Sequence, residues 1–187
     1  MPFSSGVEKA LRAALEAHAG QRRKSPGAVP YVSHPVHVAL MLARLGRDEA
    51  VIQAGLLHDV VEDCPGWSHA RLEAEFGPRV AGLVAELSED KSRSWAERKE
   101  TAIARVPALS PDAATIQACD KLHNLEALLT ELRTTPDEAA LWARFRGGRA
   151  GTLAMARGLV AALAPRVPGE LAAALCGALR ALEAVAR

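Results

Sequence analysis

Apolar residues recur at helical spacing almost from the start of the chain. Val7, Ala10, Leu11, Ala14 and Leu15 form one stripe, and the spacing predicts a helix over 7–18 closed by Gly20. The stretch GQRRKSPGAVPYVS that follows is rich in Gly, Pro and charge, and it reads as a loop. Pro35 to Leu45 is the next predicted helix, stopped by Gly46. Asp48 can cap another, which runs to about Asp63 and is closed by Pro65-Gly66. A short helix is predicted over 68–76 before Gly77, and a further one starts with Pro78 at its first position and runs to about Leu87. Ser94-Trp-Ala-Glu97 and Thr135-Pro-Asp-Glu138 both have the capping-box pattern, so helices should begin near Trp95 and Pro136. Between them a long helical pattern runs from Pro111 to Leu132, set off by Pro107 and Ser110. Two more helices fill the C-terminal part, separated by PRVPG at 165–169. No segment alternates with the period of a strand, no repeat stands out, and no long linker is visible. The expectation is a single all-α domain over 1–187. Its core spans about 7–160, and the helices of about 148–187 form an accessory layer that could also extend toward a partner.

Composition narrows the classes of partner. The chain has 187 residues, 49% of them apolar, enough for one ordinary core. Its net charge is +1, so no large single-sign field points to nucleic acid or to an anionic membrane. Cys64, Cys119 and Cys176 stand alone without CxxC spacing, which fits a reducing cytoplasm rather than a disulfide framework. MPFSSGVEKAL lacks a basic region followed by an apolar run, so no secretory signal is expected. The apolar C-terminal stretch LAAALCGALRALEAVAR is interrupted by Arg180, Glu183 and Arg187, too short and too charged for a membrane span, though a homo-oligomer through these helices is conceivable.

The chemistry concentrates in GLLHDVVEDC, Gly55 to Cys64. His58-Asp59 and Glu62-Asp63 put four titratable side chains in six residues among Leu56, Leu57, Val60 and Val61. Burying such groups without partners is costly. On a continuous helix His58 stacks under Glu62 and Asp59 under Asp63. Adjacent His and Asp aimed into a bundle suit a divalent metal, and at least two more ligands are needed. The candidates are His34 in YVSHPVHVAL and Asp120 in QACDKLHNLEAL, each a polar break in an apolar segment.

This order, H…HD…D, resembles the HD-domain metal-dependent phosphohydrolases. GQRRK–PYVSHP, LLHDVVED, W–ERK and DKLHNL, in this order and spacing, resemble the hydrolase domain of the RelA/SpoT homologues. Among these, the chain is similar to the small alarmone hydrolases, which have that domain alone. The likeness covers about Val7 to Val160. It implies an all-α bundle and a Mn²⁺-dependent reaction that removes the 3′-pyrophosphate of ppGpp or pppGpp. His34, His58, Asp59 and Asp120 match the metal ligands, and Glu62 and Asp63 match the acidic pair tied to the attacking water. Lys24, Tyr31 and Asn124 match substrate-contacting positions, and Lys121 beside the metal Asp is grouped with them. Arg22, Arg23 and Lys24 in one loop make a phosphate clamp for so anionic a substrate.

The departures from the pattern are few. No synthetase domain follows, so the chain is not expected to make the alarmone. Cys64 and Cys119 stand where the family often has Thr and Ala. Relatives tend to place an aromatic hydroxyl after DKLHN, whereas here LWARFRGGR leaves Arg144 or Arg146 as the phosphate contact. Two competing functions follow: an HD phosphohydrolase of another nucleotide, such as NADPH 2′-phosphate or a nucleoside monophosphate, and a non-catalytic alarmone-binding module. Among the remaining residues, His18 is expected to pack the QRRK loop. His37 is expected at the surface or behind the ligands, Trp95 as the anchor of its helix, and the cysteines as small core fillers.

Overall fold

The computed structural model describes residues 3–24, 27, 29–90 and 92–186; Ser25, Pro26 and Ala28 of the predicted loop lie outside them, as do Met1, Pro2, Lys91 and Arg187. Among the described residues the regular elements are helices, and the β-type pairing is an isolated antiparallel bridge between Arg22 and Pro30. The chain divides into two compact units, one up to Asp90 and one from residue 91 on.

The first unit holds α1 (Ser5–Ala17), α2 (Ser33–Arg44), α3 (Glu49–Leu57), α4 (Val60–Asp63), α5 (His69–Phe76) and α6 (Pro78–Leu87). The caps read from the sequence explain most boundaries. The Asp48 carboxylate accepts from the backbone N–H of Ala50 and Val51 at the start of α3. Ser68 accepts from Arg71 N–H, and Pro78 occupies the first turn of α6. Helix α3 is apolar around most of its girth, as a helix must be when it packs against α1, α2 and α6 together. Val51, Ala54 and Leu57 are fully buried, with Val38 and Leu42 from α2 and Ala10 and Ala14 from α1. Each fully buried Val or Leu contributes about 1.5–3 kcal/mol of transfer free energy. Gly55 permits the close approach of α2, since a Cβ there would lie 2.4 Å from Leu42 Cδ1.

One boundary departs from expectation. The predicted helix from Asp48 to Asp63 is interrupted at His58-Asp59. His58 is the C-cap of α3, and Asp59, at φ −99° and ψ −8°, is the N-cap of α4. The apolar pattern continues through LLHDVV, so hydrophobicity alone gives no sign of the break.

The second unit contains α7 (Trp95–Ala104), α8 (Pro111–Thr134), α9 (Glu138–Ala143), α10 (Gly148–Leu163) and α11 (Gly169–Val185), with 3₁₀ turns at Val106–Ala108 and Ala164–Arg166. Ser94 and Glu97 form the reciprocal capping box at α7, and Ser110 caps α8. The cap of α9 is not Thr135 but Asp137, whose carboxylate accepts from Ala140 N–H. Helix α11 lies along α8, burying Leu171, Leu175, Ala178 and Leu182. Trp95 anchors α7 against Gly147, where a Cβ would fall 2.5 Å from the indole Cη2. No helix among the described residues is long and apolar enough to cross a membrane.

Candidate metal centre

In the first unit the break between α3 and α4 brings a carboxylate and two imidazoles together. Neighbouring residues of a regular helix do not face each other. Here Asp59 Oδ2 lies 3.3 Å from His58 Nε2 and 3.8 Å from His34 Nε2. His34 comes from the first turn of α2 and is buried, as is His58. Their rings meet edge to face with centroids 5.2 Å apart. His58 Nδ1–H donates to the Gly55 carbonyl at 2.8 Å, which leaves Nε2 directed at Asp59.

The donor set fits a divalent cation. Ligand bonds of about 2.0–2.2 Å at right angles place neighbouring donors about 3 Å apart. The spacings of 3.3 and 3.8 Å are close to that, and a ring nitrogen of each histidine lies within 4.8 Å of one on the other. Two imidazoles and a carboxylate are ligands that Mn²⁺, Fe²⁺ or Zn²⁺ all accept.

The acidic pair divides in its surroundings. Glu62 is half-buried and its Oε1 accepts from the Glu89 backbone N–H at 2.9 Å; Asp63 is exposed. Burial pushes the Glu62 carboxyl above the usual range. Its bond to Glu89 N–H opposes that rise, and the charges of Asp59, Glu89 and Asp63 reinforce it.

The loop before α2 is tied back to this region. Tyr31 N–H donates to Gln21 O at 3.0 Å and Arg23 N–H to Val29 O at 2.9 Å. Gln21 Nε2 donates to the Asp63 carbonyl at 2.9 Å, and Gln21 Oε1 meets His18 Nδ1 at 2.8 Å, so His18 does pack the QRRK loop. Cys64 is buried with Sγ 3.3 Å from His18 Nδ1. The Arg23 guanidinium lies 5.7 Å from the Tyr31 ring centroid, while Lys24 and His37 are exposed. Sequence reasoning missed the hydroxyl of Tyr31, which donates to Asp59 Oδ2 at 2.5 Å. No sequence signal links two residues 28 positions apart.

In the second unit Asp120 is buried in the middle of α8. Asn124 Nδ2 donates to its Oδ1 at 2.5 Å and Lys121 Nζ sits 2.7 Å from its Oδ2. Asn124, one turn after Asp120, is thus its i+4 hydrogen-bonding partner. Arg144, predicted as a phosphate contact, is engaged by Glu131 in an ion pair and by the Leu141 carbonyl.

The chain belongs to the HD domain family, which it matches over residues 10–153. Within that class it is similar to guanosine-3′,5′-bis(diphosphate) 3′-pyrophosphohydrolase MESH1. The Xenopus tropicalis protein of that name is 40% identical over 133 residues, 70% of this chain and 72% of the relative. The Homo sapiens protein is 40% identical over 126 residues, 66% of this chain and 68% of the relative. A solved structure described as a metazoan ortholog of SpoT that hydrolyzes ppGpp superposes with a TM-score of 0.83 at 35% identity, covering 95% of this chain and 96% of the other.

Proposed function

We propose that this chain is a cytoplasmic Mn²⁺-dependent hydrolase that removes the 3′-pyrophosphate of ppGpp or pppGpp, leaving GDP or GTP. The observation that carries the reading is the His34–His58–Asp59 cluster with the half-buried Glu62 one turn beyond it. It stands in a chain 40% identical to relatives named for that reaction. His34, His58 and Asp59 hold the metal, and the order H…HD…D assigns Asp120 as the fourth ligand. A divalent cation bound there supplies Lewis-acid chemistry, making water more acidic and screening phosphoryl charge.

The protein's own groups do the rest. Water attacks the phosphorus attached to O3′, the P–O3′ bond breaks, and pyrophosphate departs. Glu62, with its raised pKa, is the base that takes the water proton and returns it to O3′. Asp63, exposed beside it, orients the water. Arg23 and Lys24 receive the phosphates, with Lys121 and Asn124 near the metal Asp as further substrate contacts. The engagement of Arg144 by Glu131 favours a second reading, in which the ribose or base is recognised differently and another phosphorylated nucleotide such as NADPH is preferred.

The test is to incubate chelator-stripped protein with ppGpp, with and without Mn²⁺, and to follow GDP and pyrophosphate by ion-exchange chromatography. Equal amounts of both, only with Mn²⁺, are expected. Intact ppGpp, with phosphate released from another nucleotide, selects the second reading. Tight ppGpp binding to metal-loaded protein without turnover selects a binding module.

A further inference from the structure

An Asp at a helix N-cap ordinarily turns its carboxylate back to accept from the N–H groups of the first turn. Asp59 is the N-cap of α4, yet its side chain makes no capping hydrogen bond. It faces the two imidazoles instead, and the Tyr31 hydroxyl donates to the oxygen nearest them, Oδ2. At 2.5 Å this is the short contact expected of an O–H group on a carboxylate.

The hydroxyl is held in place from several sides. The Arg22–Pro30 bridge and the bond from Tyr31 N–H to Gln21 O fix the backbone that carries it. The His18 ring lies 4.8 Å from the Tyr31 ring. Gln21 joins the same strand to the far end of α4 through the Asp63 carbonyl. The loop before α2 and the short helix that Asp59 heads thus form one braced unit, with the Tyr31–Asp59 bond across its middle.

We infer that Tyr31 is a positioning residue for the metal: its hydroxyl keeps Asp59 turned toward His34 and His58 and so sets how tightly the cation is bound. A ligating carboxylate has a second lone pair to spare, and hydrogen bonds of this kind orient it at low entropic cost. This assignment rests on the metal-site reading. It differs from the substrate contact that family resemblance implies for Tyr31, because the hydroxyl is already committed to Asp59.

The experiment is a Mn²⁺ titration of chelator-stripped wild type and Tyr31→Phe by isothermal calorimetry, with KM for ppGpp measured at saturating metal. Circular dichroism of the metal-free variant checks that the helices persist. The expected result is a Kd for Mn²⁺ raised by about 10–100-fold with KM unchanged. In an Asp59→Asn background, Tyr31→Phe should weaken the residual metal binding no further. An unchanged Kd with a raised KM overturns the inference and returns Tyr31 to the substrate. An equal loss of metal affinity in both backgrounds marks a general packing role and overturns it as well. A wild type that takes up no Mn²⁺ overturns the metal reading itself, which the wild-type titration alone reveals.

Discussion

Asp59 and Asp120 are both proposed as metal ligands, and the chain presents them by opposite means. Asp120 sits in α8, a helix that runs unbroken from Pro111 to Thr134. Its carboxylate is held by local partners, Asn124 one turn on and Lys121 next door. Asp59 sits where helix geometry fails, between α3 and α4, and is held by Tyr31 from 28 positions earlier. A continuous helix aims a side chain wherever its face already points, and the i+4 neighbour steadies it. A break is needed when two consecutive residues, here His58 and Asp59, must converge on one point. The second solution depends on the surrounding fold. The first is carried by the helix alone.

The largest effect should come from removing either carboxylate. Asp59→Ala and Asp120→Ala should each weaken metal binding and hydrolysis together, by more than the roughly 10–100-fold that follows loss of a supporting hydrogen bond. Metal content by atomic emission checks this. A variant that keeps full metal takes its carboxylate out of the ligand set, and the comparison falls.

Next in size is Glu62→Gln, which should retain metal while kcat drops by about 10²–10⁴-fold. Glu62 acts as a base only when ionised, and burial raises its pKa. The acid limb of kcat should therefore lie above the range of an ordinary glutamate and vanish in the variant. Stability runs the other way. A carboxyl whose folded pKa is raised helps the fold below its unfolded pKa, and that help is lost as pH rises through the folded value. At pH 7 metal-free Glu62→Gln should melt higher than wild type, with the gap closing as the pH is lowered. Equal melting at all pH values would show that the buried carboxylate carries no such strain.

The smallest effect sharpens the local side of the comparison. Asn124→Ala should weaken Mn²⁺ binding by about 10-fold, at the low end for supporting residues, because Lys121 still holds the other oxygen of Asp120. A loss as large as that of Asp120→Ala would mean that the helix does not aim Asp120 unaided.

Much of this was legible before any coordinates. Two helix starts followed from polar residues with local partners: Asp48, and Ser94 with Glu97. Such caps act over two or three residues, so the sequence carries them whole. At Thr135 the capping-box pattern misled: the cap is Asp137, two residues on, and that choice depends on backbone angles that no pattern encodes. The ligand candidates His34, His58, Asp59 and Asp120 stood out as polar breaks in apolar segments, and His34, His58 and Asp120 are indeed buried. The break at His58-Asp59 was hidden by an apolar pattern that runs through it. The hydroxyl on Asp59 was hidden because a loop pinned by Gln21 and Val29 delivers it. The tie of Arg144 to Glu131 was hidden too, since it joins residues 13 positions apart on different helices.

The bond from His58 to Gly55 has a consequence for how the protein is handled. A carbonyl offers only lone pairs, so Nδ1 keeps its proton whatever the other nitrogen does. Nε2 is then the single atom through which this ring can accept either a proton or a cation. Loading the site becomes an exchange at one atom, and acid works as a chelator does. At any given metal concentration, the pH of a storage buffer would therefore shift how much of the protein carries metal.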